Sequence, residues 1–212
     1  MIQYISQGRT IQEHLKNIES VCKAGGRWIQ LRLKDSDQKT YLETGQQCLK
    51  ICRAYKATLI INDNIEVAQR IQADGVHLGL NDASPEEARR RLGEKAIIGG
   101  TANTEEDCLQ RIEEGVDYIG LGPFRFTTTK EELSPVLGLE GYQQIVSSLS
   151  KKGHQVPIVA IGGIRTEDII PLYRTGVSGI AVSGLLSGLD QTVLQQRMDY
   201  IQTAAQNLII EN

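Results

Sequence analysis

A closed (β/α)8 barrel, occupying residues 1–212 as a single domain, is the fold class the sequence predicts, on three observations. Short apolar runs alternate with longer segments of helical periodicity about eight times along the chain, the pattern of successive strand–helix units. The runs are continuous rather than alternating, as expected for parallel strands buried on both faces. Three helix-to-strand joints share a glycine–valine signature, at Gly75-Val76, Gly115-Val116 and Gly176-Val177. A doubly wound open sheet is the alternative, and it is weakened because no glycine-rich dinucleotide fingerprint follows the first strand.

The elements follow in order. Residues 3–6 read as strand one and 11–24 as a helix, ended by Gly25-Gly26. Strand two covers 27–33, and a polar helix runs over 37–55. The β-branched run 58–61 is strand three, ending on Asn62-Asp63, and a helix continues to about residue 72. Strand four is 75–78, and the next helix opens with Ser84 as N-cap and Pro85 in its first turn. Strand five is 96–99, and Thr104 caps the helix reaching about residue 114. Strand six, 118–121, runs into a long loop, where Pro123 stops the ladder and Gly120 and Gly122 are expected to leave room for a ligand. A helix at 139–150, strand seven at 157–161, a helix capped by Thr166, strand eight at 179–182 and a last helix at 191–208 complete the barrel.

A net charge of -3 and a pI near 5.7 argue against general nucleic-acid binding, which needs a basic face. No run approaches the roughly 20 apolar residues of a membrane span, and nothing resembles a signal peptide, so a cytoplasmic protein with no membrane partner is expected. Cys22, Cys48, Cys52 and Cys108 read as small buried hydrophobes; Cys48 and Cys52 share a helix face, but no second pair or histidine completes a metal site.

In a barrel the C-terminal strand ends share one mouth, where active sites sit. Those ends form a polar collection here. Gln30, Arg32 and Lys34 alternate along strand two; Asn62-Asp63 follow strand three; Asn81-Asp82 follow strand four; Thr101 lies past strand five. Thr127, Thr129 and Lys130 follow strand six, and Gly162-Gly163 and Ser183-Gly184 end strands seven and eight. Asp63 and Asp82 suit magnesium, which takes few protein carboxylates and completes its shell with water and phosphate oxygens. Arg32, Lys34 and Lys130 exceed what two aspartates need as partners, although an ion-pair network at the rim is the competing reading. The glycines after strands seven and eight predict a second, backbone-built anion site. Two phosphate-recognising regions in one mouth suggest a reaction joining, or transferring between, two phosphorylated small molecules. No Ser–His or Cys–His pair offers a protein nucleophile.

The run Gln30-Leu-Arg-Leu-Lys34, then Ile61-Asn-Asp63, Asp74-Gly-Val-His-Leu-Gly79, Gly122-Pro-Phe-Arg-Phe-Thr-Thr-Thr-Lys130, Ala160-Ile-Gly-Gly-Ile164 and Val182-Ser-Gly184 resembles the thiamine phosphate synthase family. The likeness spans nearly the whole chain in order. It implies a condensation of 4-amino-2-methyl-5-hydroxymethylpyrimidine diphosphate with thiazole phosphate, or its carboxylate, to give thiamine phosphate and pyrophosphate. By the resemblance, Gln30, Arg32, Lys34, Asn62 and Lys130 hold the pyrimidine diphosphate, with Thr101 where the family usually has serine. Asp63 and Asp82 hold Mg2+; Thr127 and Thr129 meet the thiazole; and Gly163, Val182 and Ser183 form its phosphate end. Arg32, Lys34 and Lys130 are implied as the catalytic cations that stabilise departing pyrophosphate.

Two departures stand out. Leu80 replaces the glutamine the family often has before the strand-four acid, and strand one lacks the familiar Thr-Asp ending. His77 is open between a structural hydrogen bond and a pocket contact. A thiazole tautomerase on the same barrel has no need of the aspartates or the full cation set, and a non-catalytic phosphate-binding regulator would bind without turnover. The partners expected are phosphorylated small molecules; a homodimer is compatible with the sequence, which does not fix oligomeric state.

Overall fold

The computed structural model describes residues 1–34, 36–126 and 135–210, with side chains as far as residue 206. Strands β1 (Ile2–Ile5), β2 (Trp28–Leu31), β3 (Thr58–Asn62), β4 (Gly75–Leu78), β5 (Ile97–Ala102), β6 (Tyr118–Leu121), β7 (Ile158–Ile161) and β8 (Gly179–Val182) alternate with helices. These are α1 (Ile11–Lys23), α2 (Gln38–Ala54), α3 (Ile65–Ile71), α4 (Pro85–Leu92), α5 (Glu105–Glu113), α6 (Gly138–Lys151), α7 (Ile169–Arg174) and α8 (Gln191–Ile210). Every neighbouring pair of strands is parallel, and β8 returns to β1, closing the barrel in sequence order. No described helix is long and apolar enough to cross a membrane.

Strand pleat divides the core in two. Outward residues such as Ile29, Leu59, Val76, Ile98, Ile119 and Ile180 pack against the helices in one large cluster. Inward residues alternate with them. Among these, Trp28, Ile97, Tyr118, Val159 and Ala181 form a second, small apolar cluster inside the barrel. All four cysteines are buried and unpaired. Cys22 on α1 lies against Cys52 on α2, and that neighbour, together with burial, pushes the Cys22 thiol up.

Local signals act as the sequence predicts at several helix starts. Ser84 caps α4 with Pro85 behind it, and Thr104 and Asp107 form a capping box on α5. Thr166 does not cap a helix. It begins a 3-10 turn, Thr166–Asp168, whose Asp168 side chain accepts from Arg165 N.

Gly115 and Gly176 take the positive φ that ends a helix, at 74° and 92°. Gly75 has a different reason. The left-handed turn after α3 is made by Gln72 at φ 56°, and Gly75 lies in β4, where a Cβ would stand 1.8 Å from Ile97 O.

Gly122 lines the main cavity and Gly120 does not, and the barrel itself requires both to be glycine. A Cβ on Gly120 would press on the His77 ring at 2.9 Å, and one on Gly122 would meet Ile161 O at 2.3 Å. Both glycines admit neighbouring parts of the barrel.

Candidate active site

β2 ends at Leu31, so Arg32 and Lys34 sit in the loop beyond it and not on the strand itself. β5 extends to Ala102, which places Thr101 within the strand. A cavity of about 730 Å³ opens where these ends converge. Gln30, Arg32, Lys34, Asn62 and Thr101 line one part of it, and Gly163, Val182 and Ser183 another. The Val182 side chain belongs to the outer core. Thr127, Thr129 and Lys130 lie outside the described residues.

Strand one contributes more than the sequence suggested. Ser6, Gln7 and His14 all line the cavity. Ser6 Oγ accepts from Arg32 N at 3.0 Å and lies 3.0 Å from His14 Nδ1. Burial lowers the His14 pKa. Ser183 donates to Gln7 Oε1 at 3.1 Å, joining the β8 and β1 loops. No spacing signal marks Ser6 or His14; β1–β2 pairing brings Ser6 beside the arginine loop, and α1 folds His14 back onto it.

The interior below the cavity is polar. Gln30 Nε2 donates to Gln3 Oε1 at 3.1 Å, and Gln3 Nε2 donates to Tyr118 OH at 3.0 Å. Tyr118 OH is 3.0 Å from His77 Nδ1, whose Nε2 is 3.0 Å from Thr101 Oγ1. His77 therefore both makes a buried structural contact and lines the cavity. Gly99 makes space for this pair, since a Cβ there would lie 2.2 Å from the Tyr118 ring.

Side chains from the outer helices pin the strand ends in pairs. Tyr41 OH lies 2.9 Å from Leu31 O and 2.8 Å from Asn62 O, tying β2 to β3. The buried Arg111 donates to Gly79 O at 2.9 Å and Thr101 O at 3.1 Å, tying the end of β4 to β5. Tyr142 OH donates to Leu121 O and lies 3.2 Å from Ile161 N, tying β6 to β7.

Asp63 follows β3 in a left-handed conformation, φ 63°, which aspartate tolerates better than most residues. Its amide donates to His77 O at 2.8 Å, and its carboxyl accepts from Asn62 Nδ2. Asp82, after β4, accepts from Gly79 N at 2.6 Å. The two carboxyls are near enough to influence each other's ionisation. Burial, contact with Asp82 and the repulsion between the pair push Asp63 up to about 7, against the pull of Arg32. Asp63 lines an adjoining cleft shared with Asn62, not the main cavity. Among the described residues no group of three or more His, Cys, Asp or Glu gathers as a metal centre, so these two carboxylates stand as a pair.

The loops after β6 and β7 interlock. Gly162 and Gly163 take φ 101° and 65°, and a Cβ on Gly163 would come 3.0 Å from Arg125 Cβ. Arg125 N donates to Gly162 O at 3.0 Å, and its guanidinium to Gly163 O at 2.9 Å. The same guanidinium grips Asp168 through two bonds of 2.6 and 3.0 Å. Burial opposes ionisation of Asp168, but Arg125 and the Arg165 amide outweigh it and hold the carboxyl below its ordinary value. Arg125 was visible only as part of a motif; its work of fixing the glycine turn was not.

A cation-lined mouth bordered by a glycine turn, with a carboxylate in the adjoining cleft, is the kind of strand-end site that defines a (β/α)8-barrel enzyme. The thiamine monophosphate synthase family model matches residues 2–186. Curated thiamine-phosphate synthases are similar along most of their length. That of Flavobacterium psychrophilum is 54% identical over 88% of this chain and 90% of its own. That of Pyrococcus abyssi is 34% identical over 87% and 86%. Among solved structures, a thiamine phosphate pyrophosphorylase from Pyrococcus furiosus superposes with a TM-score of 0.83 at 28% identity, covering 98% of this chain and 96% of that one. The N-(5'-phosphoribosyl)anthranilate isomerase of the same organism, at 13% identity and a TM-score of 0.65, shares the fold alone. The chain belongs to the thiamine monophosphate synthase family, and it is a transferase of thiamine biosynthesis.

Proposed function

We propose that the enzyme condenses 4-amino-2-methyl-5-hydroxymethylpyrimidine diphosphate with thiazole phosphate, or with its carboxylate and loss of CO2, releasing pyrophosphate and forming thiamine phosphate. The observation that carries this reading is the cation-lined mouth with Asp63, which feels the charge of Asp82, in the cleft beside it. Two carboxylates forced together, with one pushed toward protonation, are a donor pair whose repulsion a divalent cation relieves. Asp63 and Asp82 fit Mg2+ on that ground. When bound, Mg2+ would supply charge neutralisation for the diphosphate.

The protein's own groups do the rest. Arg32 and Lys34, with Lys130, stabilise the negative charge that grows on the diphosphate as the bond to the pyrimidine methylene breaks. Gln30, Asn62 and Thr101 orient that substrate. Thr127 and Thr129 meet the thiazole, and Gly163, Val182 and Ser183 hold its phosphate mainly through backbone. The electron pair of the broken bond leaves with pyrophosphate, and the pyrimidine amino group supports the resulting cation. The thiazole nitrogen then donates its pair to the methylene carbon. No side chain attacks: the thiazole nitrogen is the nucleophile, and Ser6, although 3.0 Å from His14, is engaged by the Arg32 amide. We place the enzyme in the cytoplasm, and a homodimer remains compatible with this chemistry.

The test is pyrophosphate release with both substrates, with and without Mg2+. Release that requires the thiazole partner and the metal is the expected result. Isomerisation of the thiazole alone, with no pyrophosphate, points instead to a tautomerase.

A further inference from the structure

The hydrogen bonds inside the barrel have a direction. Tyr118 OH accepts from Gln3 Nε2 at 3.0 Å, and Gln3 Oε1 in turn accepts from Gln30 Nε2 at 3.1 Å. A phenol carries one hydrogen. With its oxygen already accepting, that hydrogen goes to the remaining partner, His77 Nδ1, at 3.0 Å. A neutral imidazole has one N–H, so an accepting Nδ1 places the hydrogen on Nε2. Nε2–H in turn donates to Thr101 Oγ1 at 3.0 Å. The Thr101 hydroxyl then keeps its own hydrogen for a group other than His77, and Thr101 lines the cavity.

We infer that Gln3 and Tyr118 are positioning residues that lock His77 in its Nε2–H tautomer and so present the Thr101 hydroxyl to the cavity as a donor. Neither Gln3 nor Tyr118 is among the cavity's lining residues; both act through His77. The sense of the chain matters chemically. A hydroxyl that donates stabilises an anion, whereas one that spends its hydrogen on the histidine turns a lone pair toward it. The catalytic half of this inference rests on the reading that Thr101 faces the departing diphosphate. The tautomer does not.

The experiment uses the full chain labelled with 15N-histidine. The protein has three histidines, and loss of signals in His77→Gln assigns the one in question. Long-range 1H–15N spectra of the substrate-free enzyme should show Nδ1 unprotonated and Nε2 carrying the hydrogen. Tyr118→Phe keeps the ring that packs edge-on against Trp28 at 4.8 Å but removes the donor to Nδ1. We expect the fixed tautomer to be lost and kcat to fall roughly tenfold, with KM for the pyrimidine diphosphate nearly unchanged. A merely structural Tyr118 would shift Tm without moving the tautomer. Gln3→Met, which removes the donor that orients Tyr118, should give the same two changes if Tyr118→Phe does not fold. An Nδ1–H tautomer in the wild type, or unaltered tautomer and kcat in a folded variant, overturns the inference. Thr101→Val separates the two readings, because full turnover there sinks the placement of the diphosphate at Thr101 and the catalytic role with it.

Discussion

Replacing Asp63 by asparagine should stabilise the metal-free protein while removing most of its activity. Asparagine is nearly isosteric and accepts the left-handed backbone at φ 63°, so the change is confined to charge. Raising a carboxyl from its ordinary 3.8 to about 7 corresponds to about 4 kcal/mol against the ionised form. Asp63 is solvent-accessible as a residue, so screening by water brings the recoverable part to about 1 kcal/mol. The sign follows from linkage. A carboxyl whose folded pKa is raised favours folding most below its unfolded value, and that contribution is lost as pH rises through the folded value near 7. At pH 8 the full penalty is present, and Asp63→Asn should raise Tm by about 2–4 °C. The gain should shrink toward pH 5. Mg2+ should raise the Tm of the wild type at pH 8 and have little effect on the variant. Differential scanning calorimetry at both pH values, with and without Mg2+, checks this. A variant that melts lower than wild type at pH 8, or gains as much from Mg2+, would refute the carboxylate-pair reasoning.

Three further changes test other parts of the site. Gly163→Val meets both a positive φ of 65° and Arg125 Cβ at 3.0 Å, so it should raise the KM for the thiazole substrate while leaving pyrimidine diphosphate binding nearly intact in steady-state assays. Arg111→Met leaves Gly79 O and Thr101 O without their buried donor and should cost on the order of 3 kcal/mol, read as a fall of roughly 6–12 °C in Tm. Lys130→Ala should lower kcat about a hundredfold, on the order of 3 kcal/mol of transition-state stabilisation, in a protein that melts normally. Turnover within about threefold of wild type would remove that lysine from the mechanism.

What was legible in the sequence was what local physics writes down. Ser84 and Thr104 announce helix starts because a cap acts within four residues. The strand ends could be read as one mouth because barrel topology makes them converge whatever the loops do. Features set by closure were harder. Gly120 and Gly122 looked like space for a ligand because a sequence does not say what a missing side chain makes way for; here it is the His77 ring and Ile161 O. Gln3 and Tyr118 sit in otherwise apolar runs 115 residues apart, and nothing short of the closed barrel makes them partners. Arg125 and Asp168 are 43 residues apart and meet only because β6 and β7 are neighbours.

The strand-end pins have a consequence for how such a mouth can diversify. Tyr41, Arg111 and Tyr142 reach the rim from outside and grip main-chain atoms, so what they hold is independent of which side chains the rim residues carry. Gly79 O stays fixed by Arg111 whether its successor is leucine or glutamine, and Gly79 N in turn holds Asp82. Leu80 can thus replace an amide without displacing the acid two residues on. Frame and content are separately mutable: the ring keeps its circumference while individual contacts around it drift.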